Sequence, residues 1–99
     1  MATIDRLLRE VRKAFGQKRI WLTEYGYQTN PPDHLLGVSR ARQARHIGEA
    51  ALRAYQTPYV DMLIQYLYKD EPNLDRWQSG LVTAPGAPKG RAPVCYASI

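Results

Sequence analysis

Two short apolar runs constrain this chain more than anything else in it. In Arg19–Glu24, the residues Ile20, Trp21 and Leu22 stand together without alternation. In Tyr59–Tyr66 the centre, Met62-Leu63-Ile64, is just as continuous. Strands of that kind expect cover on both faces, a property of parallel strands sandwiched between helices. Between them, Ser39 reads as the N-cap of a helix reaching roughly to Tyr55. With about 35 residues between the strands, the arrangement is a βαβ unit whose crossover should be right-handed.

A further helix is expected before the first strand. Ile4, Leu7, Leu8, Val11 and Phe15 fall on one helical face, with Thr3 as N-cap, Asp5 at the positive end of the dipole and Gly16 just past the end. Arg6, Arg9, Arg12 and Lys13 lie off that face and read as solvated. In the crossover helix the apolar face is expected to be Ala41, Ala44, Gly48, Ala51, Leu52 and Tyr55, opposite a solvated stripe of Arg42, His46, Glu49 and Arg53. The connection Tyr25–Val38 is a long loop stiffened by Pro31 and Pro32. After the second strand, Lys69–Ile99 is rich in Pro and Gly and has no strong period. Residues 1–82 are therefore read as the folded unit, and residues 83–99 as an irregular, mobile Pro/Gly-rich tail.

The chain has 99 residues, 44% of them hydrophobic and 23% charged, which is the composition of one small globular domain. Yet two parallel strands with both faces buried need neighbours on each edge, and the sequence offers no other strand. A single βαβ unit buries little apolar surface against the entropy of its chain. The sequence therefore reads as part of a larger α/β sheet or barrel. In such barrels, functional residues gather at the C-terminal ends of strands and in the loops that follow.

Those ends are chemically distinctive. The first offers Thr23, Glu24, Tyr25, Tyr27 and Gln28; the second offers Gln65, Tyr66, Tyr68, Asp70 and Glu71, followed by Trp77 and Gln78. A carboxylate among aromatic rings and amides suits a sugar, because rings stack on pyranoside faces while amides and carboxylates bond hydroxyls. The stretches "RIWLTEYGYQT", "QARHIGEAAL", "VDMLIQYLYKDEP" and "WQSGLV" together resemble the last quarter to third of a clan A glycoside hydrolase, a TIM-barrel glycosidase. The resemblance spans about residues 3 to 89. It implies an α/β fold, a partial (β/α)8 barrel covering helix 6, strand 7, helix 7 and strand 8. It places the catalytic nucleophile at Glu24, in the "TE" that closes strand 7, and makes Tyr66 and Trp77 the aromatic wall of the sugar site. Tyr27, Gln28, Tyr68 and Asp70 are the further substrate-binding candidates.

Two departures bear on activity. The acid/base of that clan is a glutamate, usually after Asn, ending strand 4, and this chain contains no Asn-Glu pair. The clan's Lys-Pro-Ala motif is replaced by Lys89-Gly90-Arg91. Retaining hydrolysis needs two carboxyl groups about 5 Å apart, so the chain alone is expected to be inactive. Its expected partners are the carbohydrate substrate of the parent enzyme and a complementary barrel half.

Other classes are weaker. No apolar run approaches the ~20 residues that span a bilayer. No cofactor is expected. His34 and His46 have no second ligand at a metal-binding spacing, and Cys95 has no base nearby. A lone cysteine and the absence of a secretory pattern at the N-terminus fit a cytoplasmic chain. The net charge of +5 leaves a small basic module binding nucleic acid or another polyanion as the alternative, though Arg40, Arg42 and Arg45 read better as the outer face of a barrel helix.

Overall fold

The computed structural model of the chain describes residues 3–89. The expected order of elements is present: α1 (Ile4–Phe15), β1 (Ile20–Tyr25), α2 (Arg40–Gln56) and β2 (Val60–Gln65). The strands pair parallel, joined through α2, and among the described residues they make a two-stranded sheet. This is a small α/β unit consistent with part of a barrel. Residues 90–99, the end of the expected tail, with Cys95, lie outside the described residues.

Helix ends follow local chemistry in part. Ser39 caps α2, its hydroxyl accepting from the Arg42 N–H at 3.2 Å. Gly16 takes φ +78° after α1 and donates to the Arg12 carbonyl, a left-handed stop that glycine adopts without strain. Thr3 stands at the N-cap position without a side-chain cap bond, contrary to expectation. Helix α1 joins the body through the buried Ile4 and an ion pair from Arg53 on α2 to Asp5.

The buried face of α2 differs from the one expected. Gln43, Ala50 and Ala54 are buried and Ile47 is half-buried, at spacings of i, i+4, i+7 and i+11. Leu52 and Tyr55 are exposed, and a Cβ on Gly48 would meet nothing within 4 Å. The inner face is again built of small residues where α2 lies close to β2, but it is rotated from the expected one and takes in an amide, Gln43, whose partners are carbonyls of the loops. His46, assigned to the solvated stripe, is half-buried and stacks on Tyr27 with ring centroids 4.7 Å apart.

Leu22 and Leu63 face each other in register, half-buried. Trp21, in register with Met62, is 63% exposed, and Met62 and Ile64 are exposed beside it. One face of the sheet is therefore open, where the sequence expects cover on both.

Candidate functional site

Glu24 owes its place to an irregularity in β1. Leu22 pairs with Leu63 and Tyr25 with Gln65, so three steps along β1 match two along β2. The extra residue falls at Thr23-Glu24, a β-bulge. Strict alternation would put Glu24 on the same half-buried side as Leu22. The bulge returns Tyr25 to that side instead, where its hydroxyl donates to the His46 carbonyl at 3.3 Å. Thr23 and Glu24 are both left exposed. Burial, with Tyr27 adding to it, pushes the Tyr25 phenol well above its ordinary range, so Tyr25 stays neutral there.

Glu24 stands between two clefts. One, of about 270 Å³, is lined by Glu24, Gly26, Gln28, Tyr66, Trp77 and Ser79. Its aromatic side is an edge-to-face pair, Tyr66 and Trp77, with centroids 6.1 Å apart and planes at 88°. Trp77 is half-exposed, so a ring face remains for a ligand. Gln28 accepts from the Gln78 N–H through Oε1 at 3.2 Å, which orients its amide on the opposite wall. The other cleft, of about 440 Å³, runs from Thr3, Ile4 and Leu7 of the α1 end past Trp21 to Tyr27. Glu24 is the one carboxylate lining either cleft.

The expected site residues divide. Glu24, Gln28, Tyr66 and Trp77 come together in the smaller cleft. Tyr27 lines the larger one and packs edge-to-face on Tyr25 at 5.7 Å. Tyr68 and Asp70 line neither. Leu67, between Tyr66 and Tyr68, has φ +69°, a left-handed turn that breaks the strand's alternation and sends Tyr68 out to 66% exposure. Asp70 is turned inward instead. Its side chain is 3% exposed, its Oδ1 accepting from Lys89 Nζ at 2.7 Å and from the Gly80 N–H at 2.8 Å. Asp70 thus orders the loop and is not presented to a ligand.

Sequence reasoning missed what supports the cleft. Lys89 falls within the expected tail, yet it is buried, and burial holds its ammonium pKa below the usual lysine range against the opposing pull of Asp70. Thr29, Gln78 and Ser79 are buried beside it or within the same turn. Gly26 and Gly80 let the loops approach: a Cβ on Gly26 would stand 3.1 Å from Gln65 Nε2, and one on Gly80 would overlap the backbone of Lys69 and Asp70. The legible signal was Gln43, an amide set in register with Ile47, Ala50 and Ala54.

No protein-family model matches the chain, and no curated relative does. Solved structures do. The chain is similar to the β-glucuronidase of Dictyoglomus thermophilum, with a TM-score of 0.70 and 19% identity over 97% of this chain and 18% of that one. It is similar to a calcium-binding mutant of Bacteroides uniformis β-glucuronidase 2, with a TM-score of 0.71 and 18% identity over 98% of this chain and 12% of that one. It is also similar to the β-glucuronidase of Lactobacillus rhamnosus, with a TM-score of 0.70 and 17% identity over 97% and 18%. The chain thus spans less than a fifth of these proteins' length. What the likeness establishes is the fold, an α/β arrangement shared with glycosidases.

Proposed function

We propose that this chain is one portion of a retaining glycoside hydrolase barrel, in which Glu24 is the nucleophile and Tyr66 and Trp77 form the wall that stacks on the sugar. The observation that carries the reading is Glu24's position. A bulge at the C-terminal end of a parallel strand turns its carboxylate into a cleft faced by an aromatic pair. A carboxylate so placed attacks the anomeric carbon as the leaving oxygen departs, forming a glycosyl ester that water then hydrolyses. Gln28 supplies hydrogen-bonding groups for ring hydroxyls on the wall facing the aromatic pair.

The step also needs a carboxylic acid about 5–5.5 Å from the nucleophile to protonate the leaving group. Glu24 is the sole carboxylate of the cleft, so the second must come from outside its lining. On this reading the 99 residues alone do not turn over substrate, and hydrolysis requires the remaining barrel portion. That the three neighbours are β-glucuronidases makes a β-linked sugar the first substrate to try.

The test is covalent labelling. A 2-deoxy-2-fluoro β-glycoside with a good leaving group, added together with a barrel portion supplying the acid, should leave a glycosyl adduct on Glu24 by peptide mass spectrometry. Glu24→Gln should abolish the adduct. Labelling elsewhere, or none with the complement folded and bound, would sink the assignment.

A further inference from the structure

Two buried polar side chains that the proposed hydrolysis does not use sit beneath the smaller cleft. Gln43, on α2 and 3% exposed, directs Nε2 at the carbonyls of Tyr27 (2.9 Å), Ser79 (3.3 Å) and Gly80 (3.2 Å). Lys89, 5% exposed, directs Nζ at Thr29 Oγ1 (2.7 Å), Asp70 Oδ1 (2.7 Å) and the Gln78 carbonyl (2.9 Å). Each therefore grips both the loop leaving β1 and the 78–80 turn beyond β2. Tyr27 and Thr29 flank Gln28, one wall of the cleft; the turn carries Ser79 and follows Trp77, the other wall.

The chemistry of the grip is specific. One NH2 group has two protons for three carbonyls, so at least one is shared, and no apolar side chain could hold those acceptors. A buried amide or ammonium is costly unless its partners are all in place, which makes such a junction favour a single spacing. The strands do not need it: Tyr66 N–H bonds the Tyr25 carbonyl at 2.7 Å within their own ladder. The junction acts where the ladder has ended and the two loops would otherwise part.

We infer that Gln43 and Lys89 are positioning residues of the cleft, fixing the separation of the Gln28 wall from the Trp77–Ser79 wall and so the width open to a ligand ring beside Glu24. The consequence for ligand binding rests on the function proposed above; the coupling of the two loops does not.

The experiment uses the whole chain with Gln43→Met, which keeps the buried volume but donates nothing, and Gln43→Glu, which keeps the shape but leaves a single O–H, on a neutral carboxyl, for the three carbonyls. Hydrogen exchange is followed at three amides: Thr29, bonded to the Gln78 carbonyl; Gly80, bonded to Asp70; and Tyr66 in the strand ladder. The expected result is that Thr29 and Gly80 lose about tenfold to hundredfold protection in both variants while Tyr66 keeps its own. Methyl β-D-glucopyranoside, titrated against the Trp77 indole N–H signal, should bind at least about tenfold more weakly to the variants. Unchanged protection at Thr29 and Gly80 overturns the inference. An equal loss at Tyr66 overturns it too, since Gln43 would then be a general stabiliser. Loops that open as expected, in a protein whose wild type ignores the glycoside, leave the clamp standing and count against the glycosidase reading alone. If Gln43→Glu does not fold, Gln43→Met decides.

Discussion

The loop end of this molecule and its sheet body solve opposite problems. At the loop end nearly every buried group is polar: Thr29, Asp70, Gln78, Ser79 and Lys89 are all within it, and their partners are one another and nearby carbonyls. The body is apolar, yet Trp21, Met62, Ile64, Leu7 and Phe15 are exposed. The buried apolar residues are few: Ile4, Ala50, Ala54 and Val82. Hydrogen bonds are directional and join single atoms, so loops distant in the chain, as Thr29 and Lys89 are, can satisfy one another wherever the fold brings them together. Apolar cover is proportional to area and needs a second layer, which the described residues do not provide on this face. The loop end is thus closed on itself, while the frame beneath it leaves an apolar face open among the described residues.

The largest expected effect breaks the polar end. Lys89→Met leaves Asp70 buried and unpaired, which should destabilise by about 3–5 kcal/mol in urea unfolding. Adding Asp70→Asn, which keeps an oxygen for the Gly80 N–H, should recover most of that loss, because no buried charge remains. A double variant no better than the single would mean that the pair is not the unit holding this end together.

Glycines sharpen the contrast, since the same substitution should have opposite signs in the two regions. Gly80→Ala forces a methyl into the backbone of Lys69 and Asp70 and should cost about 1–3 kcal/mol. Gly48→Ala adds a methyl to an exposed position inside α2 with nothing within 4 Å, and should stabilise by about 1 kcal/mol. Thermal midpoints of the two variants, measured together, check the sign as well as the size.

Much of the frame was legible because period and caps are local. Ile4 through Phe15, the apolar centres of the strands and Ser39 all act within a few residues of themselves. The meeting of Glu24 with Tyr66 was legible from strand-end position, and that with Trp77, well beyond β2, from the resemblance. Three things were not. The bulge at Thr23-Glu24 depends on register with a partner strand about 40 residues away, which no window over β1 contains. The face of α2 was misassigned because the buried stripe includes an amide, Gln43, whose carbonyl partners lie in two loops distant in the chain, so an apolar count alone turns the face the wrong way. Asp70 and Lys89 are separated by 18 residues of irregular chain, and only the folded path shows that they meet. Asp70 was accordingly mistaken for a ligand contact, and Lys89 for part of a loose tail.

Acid titration separates the regions more finely. Asp33, in the loop after β1, has its carboxyl held below the usual range by the N–H groups of Leu36 and Leu35. Asp61, at the far end of β2, is held down mainly by its hydrogen bonds from Arg19. A carboxyl whose folded pKa is depressed contributes stability that is fully present above its unfolded value of about 3.9 and is lost as pH falls through the folded value. Stability should therefore decline below about pH 4 by way of both groups. Asp33→Asn, whose amide oxygen still accepts from the loop, should flatten the part belonging to the loop end. Asp61→Asn should flatten the part belonging to the body. If either substitution left the acid limb unchanged, that carboxylate would not be tied in solution as it is in the structure.

The smallest effect tests the open face directly. In the chain alone, Trp21 is solvated, so Trp21→Thr removes surface contact with water and little else. The unfolding free energy should stay within about 0.5 kcal/mol of wild type. With the rest of a barrel supplied, the same indole would pass from water into a packed interior. Its loss should then weaken association by about 3 kcal/mol, from the area a tryptophan buries. The two measurements bear on different claims. A large effect in the chain alone, rising with protein concentration, would mean that a second copy already covers the sheet. No effect in the complemented protein would mean that the face is not a barrel interior, and the role proposed for Glu24 would lose its architectural reason.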